Sequence, residues 1–467
     1  MKICVLLPDY STSHVDYKYY DPPRILNSLL PNDEIETVYL HKLSVYQQLK
    51  KLSFNGFDIF VNLCEGYLEW DVPSIEVIYF LELLNLPFTG PTTLLYDPTK
   101  ELMKYVAYCA NVATPKFTVI NSGNNLQDAT KNLTYPLFVK PAKAGDSLGI
   151  DEFSLVNNAV ELQKKVASII EEYNEILIEE YIAGREFTVL VAANPNEKNC
   201  TTFKPIEFIF PINYSYKTYS LKTSELHTDA NVAVTDMALE NTLRTAAANI
   251  FTAFNGEGYA RLDFRMNKDG VLFFLEINFT CSVFYTNGYE GSADYILQYD
   301  GIGQKGFLQH IIAEGINRHI RKQKKYTVKG NAIDGYGIYA TQAIAKGEVV
   351  FKGEEKAQRI VTKKYVDTHW NETQKKDFAR YAYPIGKEIY ILWSDNANDW
   401  APQNHSCKAN TTYVGLNVIA LQNININEEL TLDYSNFLDD TAQSFECQCQ
   451  SANCRGTISG KKTKHLL

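Results

Sequence analysis

Four cysteines constrain this chain more than any other feature. Cys447, Cys449 and Cys454 stand in a C-x-C-x4-C pattern, and Cys407 stands forty residues before Cys447 in "QNHSCKAN". That spacing is too tight for three independent core thiols. Cys407 is the only other cysteine beyond residue 326, so the four together predict a closed tetrahedral zinc site that pins the tail to the domain before it. The bland alternative is a set of merely buried or solvated thiols. A site of this kind supplies on the order of 10 kcal/mol of folding energy in small modules.

The remaining composition bounds the partners. At 467 residues the chain is long enough for two or three domains, and 45% apolar with 13% aromatic residues fills their interiors. The net charge of −10 argues against a nucleic-acid binder, which needs a basic footprint. The opening "MKICVLLPDY" has an apolar run of only about six residues and no small-residue cleavage site, so it reads as a first strand and not as a signal peptide. No apolar run reaches the roughly 20 residues a membrane span needs. A cytoplasmic, reducing setting is expected, which favours metal over disulfides for clustered cysteines.

Up to about residue 320 the chain alternates strand-like and helix-like runs. "KICVLL", "IETVYL" and "FDIFVNL" read as buried strands of a parallel sheet. "NNAVELQKKVASIIEEY" carries Val160, Val166, Ile169 and Ile170 at a helical period, and "EILIEEYI" follows as a strand. A helix over roughly 236–254 precedes "GYARLDFRMN" and "GVLFFLEINF", strands joined by a "KDG" hairpin turn. A last helix over about 304–323 runs into a basic stretch. Beyond 326 helical periodicity fades. Short strands ("GIYAT", "EVVF", "EIYILW", "NVIAL", "ELTLDY") crowd among turns, the pattern of a compact β-rich domain.

Two stretches of the first part carry chemistry. In "YPLFVKPAKAGDSLGI", Lys140 ends a strand and a small glycine-containing loop follows, able to bring backbone N–H groups and the charges of Lys140 and Lys143 to phosphate. Taken alone, that stretch is explained more simply as an ordinary solvated turn. In the hairpin, Glu276 and Asn278 are two apart and share a face, where Asp263 can meet them across the ladder. Three oxygen ligands on one face suit a hard cation carrying nucleotide phosphates. A hydrogen-bonded structural carboxylate is the plain alternative.

In this order the pieces resemble the ATP-grasp superfamily, most closely the D-alanine–D-alanine ligases, over roughly residues 1–320. The resemblance implies an α/β ATP-grasp fold, with an N-terminal α/β region over 1–97 and the ATP-grasp region over 98–322. It assigns ATP binding to Lys100, Lys140, Lys143, Ser147, Gly149, Glu179, Glu180, Tyr181 and Glu186. It assigns magnesium to Asp263, Glu276 and Asn278, and stabilisation of a tetrahedral transition state to Arg261. The implied reaction phosphorylates a substrate carboxylate with ATP, and an amine then attacks the acyl phosphate. Three segments depart from the family's pattern: "PDYSTSHVDYKYYDPP", "LCEGYLEWD" and "FTCSVFYTNGYEGS". All three belong to the substrate side, which implies an amino-acid or peptide pair other than two D-alanines.

The second part resembles the SET-domain lysine methyltransferases with their post-SET zinc segment. "GYGIYAT", "KGEVVFKGEE", "NHSCKAN" and "EELTLDYS" come in that family's order ahead of the last cysteines. The resemblance implies a β-rich SET domain over 326–440 and a post-SET segment over 441–460, with Cys407, Cys447, Cys449 and Cys454 on zinc. It places S-adenosylmethionine against Gly335, Tyr336, Gly337, Asn404 and His405, and Tyr434 at the methyl-transfer channel. Leu432 stands where many relatives carry Phe or Tyr.

Together these imply a bifunctional enzyme using ATP, magnesium, S-adenosylmethionine and zinc on small amino-acid or peptide substrates. A protein substrate for the methyltransferase half, a SET half that only docks, and a ligase fold that only binds nucleotide stay open as readings. The ligase resemblance also allows a homodimer.

Overall fold

The computed structural model describes residues 1–11, 13, 21–22, 24–65, 71–143, 148–196, 199–212, 214–216, 230–330, 335–353, 358–393 and 401–460. The chain divides into two compact units, Met1–Arg321 and Lys322–Leu467. Among the described residues no helix is long and apolar enough to cross a membrane.

Unit 1 opens with a parallel sheet of β1 (Lys2–Pro8), β2 (Glu34–Leu40) and β3 (Ile59–Asn62), in the order β2-β1-β3. β1 and β3 are buried, as continuous Ile, Val and Leu runs demand. β2 is not: it lies at the sheet edge and only Leu40 is buried, so its apolar alternation marks an edge strand and not a central one. Helices α1 (Val45–Leu52) and α2 (Ile75–Leu83) cover one face through Leu49, Val77, Ile78 and Leu81.

After α3 (Lys100–Cys109) comes an antiparallel sheet of β4 (Phe117–Ile120), β5 (Leu137–Pro141), β6 (Leu155–Val156) and β7 (Ile176–Glu180), in the order β4-β7-β5-β6. The short α4 (Leu126–Thr130) and α5 (Ala159–Tyr173) cover it. The buried stripe of α5 runs through Leu162, Val166 and Ile169, whereas Val160, two positions before Leu162 and so on the opposite face, is 62% exposed.

The third sheet is built on β8 (Gly184–Ala193), which pairs with β9 (Cys200–Thr202), β10 (Ile206–Phe208) and β12 (Tyr259–Asn267). β11 (Asn231–Ala233) and β13 (Leu272–Asn278) complete the path β11-β10-β8-β12-β13. The β12–β13 turn is closed by Gly270 N–H on the Asn267 carbonyl at 3.0 Å, with Gly270 at φ +79°, a conformation glycine takes without strain. Helix α6 (Met237–Ala253) and α3 pack behind this hairpin through Leu243, Ala247, Ile250, Met103 and Ala107. Helices α7 (Ser292–Asp300) and α8 (Gly303–Lys322) fill the core shared with β1 and β3.

Unit 2 consists of small antiparallel sheets. β14 (Tyr326–Gly330) pairs with β15 (Tyr336–Ala340). β16 (Val349–Phe351), β21 (Asn417–Ala420) and β20 (Thr411–Val414) form a second sheet. β17 (Gln358–Thr362), β19 (Ile389–Trp393) and β18 (Tyr383–Gly386) form a third. The tail closes with β22 (Phe445–Glu446) on β23 (Thr457–Ile458). Two helices appear where none was expected, α9 (Lys363–His369) and α10 (Glu372–Tyr381). "ELTLDY" is not a ladder strand. Leu432 bridges His405 on one side and Thr411 on the other, and a 3-10 turn at Tyr434–Asn436 follows.

Candidate functional site

Register places the first constellation. Asp263 lies directly opposite Glu276, and Arg261 opposite Asn278, so the four side chains share one face of the hairpin. Arg261 Nε and Nη2 lie 3.4 Å from the two Asp263 oxygens. Asn278 Nδ2 donates to Asp263 Oδ2 at 3.5 Å and Thr188 Oγ1 to Oδ1 at 2.6 Å. Burial works against the Arg261 charge, but Asp263 and then Cys281 more than restore it, so the guanidinium stays protonated throughout.

Two helical lysines and one from the antiparallel sheet converge beside that face. Thr99 caps α3 by accepting the Leu102 N–H at 3.2 Å, which starts the helix at Lys100. Lys100 Nζ reaches Glu276 Oε2 at 3.4 Å. Lys140 on β5 lies 2.6 Å from Glu179 Oε1, and Lys104 lies 2.5 Å from Oε2. Burial alone would raise the Glu179 carboxyl, but the two lysines hold it at about 2. Lys104 was not anticipated. Its signal was available: it stands four residues after Lys100, on the buried face of α3 with Met103 and Ala107.

A lysine locked on a buried carboxylate makes a measurable prediction. The ion pair stabilises the fold fully above the ordinary glutamate range, and the contribution is lost as pH falls from about 4.5 toward 2. Lys104→Met is expected to cost about 3 kcal/mol at neutral pH, the low end for a broken buried pair because Lys140 remains. Urea unfolding of the two proteins at pH 7 and pH 3 checks this: the gap narrows at pH 3.

The other expected nucleotide contacts scatter around this centre. Tyr181 stacks on Phe138 at 6.2 Å and lies 4.7 Å under the Arg265 guanidinium. Glu186 faces Arg265 across the ladder at 3.9 Å. Glu180 accepts the Thr134 N–H at 2.9 Å. Lys143 is exposed and pairs with Glu175 at 3.5 Å, not with the Glu179 cluster. Gly149 offers its carbonyl to Lys165 Nζ at 2.9 Å, which anchors the loop's far end. Ser147 lies outside the described residues.

Unit 2 gathers its own constellation. A Cβ at Gly337 would lie 2.4 Å from Glu429 Oε1 and 3.0 Å from Asn404 Nδ2, so a side chain there would push these polar side-chain ends away from β15. Gly335 precedes it at φ +68°. Asn404 Nδ2 donates to Glu429 Oε1 at 2.8 Å and to the Tyr336 carbonyl at 3.3 Å. The Tyr434 hydroxyl donates to the Gln403 carbonyl. His405, Phe437 and Phe445 surround the Tyr434 ring, with centroids at 5.4, 5.5 and 5.9 Å. His405 Nδ1 accepts the Tyr434 N–H at 3.1 Å, which leaves the neutral ring's proton on Nε2, 3.4 Å from Cys407 Sγ. Burial lowers the His405 pKa and favours that neutral form.

The sulfur atoms of Cys407, Cys447, Cys449 and Cys454 lie within 4.8 Å of one another. Four thiolates at about 2.3 Å around a tetrahedral zinc ion stand about 3.8 Å apart, and Cys407 and Cys447 are separated by 3.8 Å. The donor set fits zinc. Arg455 adds two N–H donors to Cys407 Sγ, each at 3.4 Å, and bonds Asp433 and Ser435.

Comparison with known proteins matches both constellations. The family described as D-ala D-ala ligase C-terminus matches residues 107–286, and the SET domain family matches residues 335–435. A D-alanine–D-alanine ligase of Streptococcus thermophilus is 31% identical over 205 residues, covering 43% of this chain and 57% of that protein. A D-alanine–D-alanine ligase of Bacillus cytotoxicus is 30% identical over 265 residues, covering 53% of this chain and 68% of that protein. The crystal structure of D-alanine–D-alanine ligase from Bacillus anthracis complexed with ATP superposes with TM-score 0.52 at 19% identity, over 69% of this chain and 100% of that one. That structure shares the fold, which identifies unit 1 as ATP-grasp.

Proposed function

Since the chain belongs to the D-alanine–D-alanine ligase family and carries a SET domain as well, we propose that it is a bifunctional enzyme, joining a carboxylate to an amine at the expense of ATP and methylating an amine from S-adenosylmethionine. Residues 1–97 and 98–322 are assigned to the ligase, 326–440 to the SET domain and 441–460 to its zinc segment. The observation that carries the ligase half is the shared hairpin face of Arg261, Asp263, Glu276 and Asn278, met by Lys100.

In this reading Asp263, Glu276 and Asn278 would hold magnesium, which neutralises phosphate charge. The oxygen-rich, cation-flanked face suits that ion. Lys100 and Lys140 would exchange their carboxylate partners for phosphate oxygens, and Lys104 would keep Glu179 ionised as Lys140 leaves it. Arg261 would meet the oxyanion that develops when the amine attacks the acyl group. Glu180, Tyr181 and Glu186 would receive adenine and ribose. In the SET half, Gly335 to Gly337, Asn404 and His405 would receive the methyl donor. The Tyr434 hydroxyl, already fixed on a carbonyl, would orient the amine for in-line transfer, a gain of positioning.

Mass spectrometry of the full chain incubated with ATP, magnesium, S-adenosylmethionine and an amino-acid panel including lysine tests both halves. An amide product with ADP release is expected, lost in Asp263→Ala. Methyl additions are expected as well, lost in Tyr434→Phe. ATP consumption that survives Asp263→Ala would sink the ligase assignment.

A further inference from the structure

We propose that Lys104 is a positioning residue that keeps ATP binding free of proton uptake: it holds Glu179 as a carboxylate, so that Lys140 passes from that carboxylate to a phosphate with no proton moving. The inference rests on the ligase reading and deepens it, by naming what would couple nucleotide binding at that site to pH and what prevents the coupling.

Depth separates the lysines that can reach a ligand from the one that cannot. α3 carries two lysines one turn apart, and each meets a carboxylate from a different sheet, Lys100 with Glu276 on β13 and Lys104 with Glu179 on β7. The Lys104 side chain is 0% exposed and Glu179 is 4% exposed, whereas Lys140 is 7%, Lys100 9% and Glu276 26% exposed. Lys104 Nζ also donates to Thr114 Oγ1 at 3.2 Å and lies 5.4 Å from the centre of the Phe117 ring, which fixes it in place. Glu179 gives one oxygen to each neighbour, Oε2 to Lys104 and Oε1 to Lys140. Lys140 can therefore leave without breaking the bond that Lys104 makes.

The charges around the pair decide what that departure does. Burial works against the Lys140 charge, but Glu179, Glu276 and Glu186 together raise its pKa, so it leaves as a cation. Burial lowers the Lys104 pKa, Glu179 opposes the change, and the nearby charges of Lys140 and Lys100 lower it further. Transfer of Lys140 to a phosphate relieves one of those repulsions. Lys104 thus becomes a firmer cation at the moment when it holds Glu179 alone. Without Lys104, the same transfer would strand a buried carboxylate, and such a group takes up a proton in preference to staying charged. ATP would then bind better as pH falls.

Calorimetric titration of the full chain with a non-hydrolysable ATP analogue and magnesium, in buffers of different ionisation enthalpy, counts the protons taken up on binding. Wild type and Lys104→Arg, which keeps the charge, are expected to give the same count from pH 5.5 to 8. Lys104→Met is expected to bind the analogue at least about tenfold more weakly at pH 7.5 and to take up further protons, up to about one per chain. Its affinity relative to wild type should recover as pH falls, by up to about tenfold per pH unit, which a merely loosened fold would not do. Lys104→Gln, with a donor for Glu179 but no charge, is expected to shift the same way and serves if the Met variant does not fold. Equal proton counts in wild type and both neutral variants, or a binding deficit that is constant with pH, overturn the inference and leave the ligase reading standing. Uptake by Lys104→Arg as large as by the neutral variants overturns it as well. A wild type that does not bind the analogue removes both.

Discussion

Arg261→Met is expected to lower the rate of amide formation by about 10²–10³-fold, the cost of removing one donor aimed at a developing oxyanion. Arg261 is fixed on the same hairpin face as Asp263 and opposite Asn278, so it cannot move independently of the residues assigned to magnesium. Its role should therefore appear in kcat, with KM for ATP changed little. Stability should change little too, because Asp263 keeps Thr188 and Asn278 as partners. Arg261→Lys is expected to recover only part of the loss, since an ammonium lacks the planar fork that addresses two oxygens at once. Steady-state ADP release, with ATP and the amino acid varied separately, measures both parameters. A mutant that weakens ATP binding at unchanged kcat would move Arg261 from the oxyanion to the nucleotide phosphates.

The parts of the fold that were legible are those where one physical rule acts alone. The β12–β13 hairpin is a period-2 pattern closed by a glycine turn, so its existence could be read directly. The register shift between Asp263 and Phe264 could not: it sets Asp263 opposite Glu276, where an unbroken count from the turn gives Leu275. β2 has the same local pattern as its neighbours, but nothing local reports that it stands at a sheet edge. The helices α9 and α10 were hidden because each buries a single apolar anchor, Val366 and Phe378, which leaves no periodic stripe. Their caps were readable: Asn371 and Gln374 form a reciprocal capping box. "ELTLDY" misled for the opposite reason. Leu430 and Leu432 alternate as in a strand and are buried, but the segment threads between two partners by isolated bridges. Of the candidate site, motif residues were legible one by one. Lys104 was not, because its significance lies in a long-range partner 75 positions away.

Removing zinc is expected to produce the largest structural change available to this chain. The tail that carries three of the four cysteines has little else to hold it. β22 and β23 pair over two residues each, and Ile458 is the one residue from 441 to 460 that is buried. Against that stands a four-thiolate site worth on the order of 10 kcal/mol, comparable to the whole stability of an ordinary domain, about 5–15 kcal/mol. Chelation should therefore release residues 441–460. Phe445 would leave the ring cluster around Tyr434 and His405, and Arg455 would leave Cys407 and Asp433. The expected readout is about one zinc per chain in the purified protein. Hydrogen exchange should rise across 441–460 and 403–407 on chelation, and the exchange of 1–321 should stay unchanged. Cys407→Ser should reproduce the chelated pattern, whereas Cys109→Ser, at an exposed thiol outside the cluster, should not. A protein isolated without zinc and indifferent to chelator would mean that the four thiols pack as thiols. The tail would then owe its place to Ile458, Phe445 and Arg455.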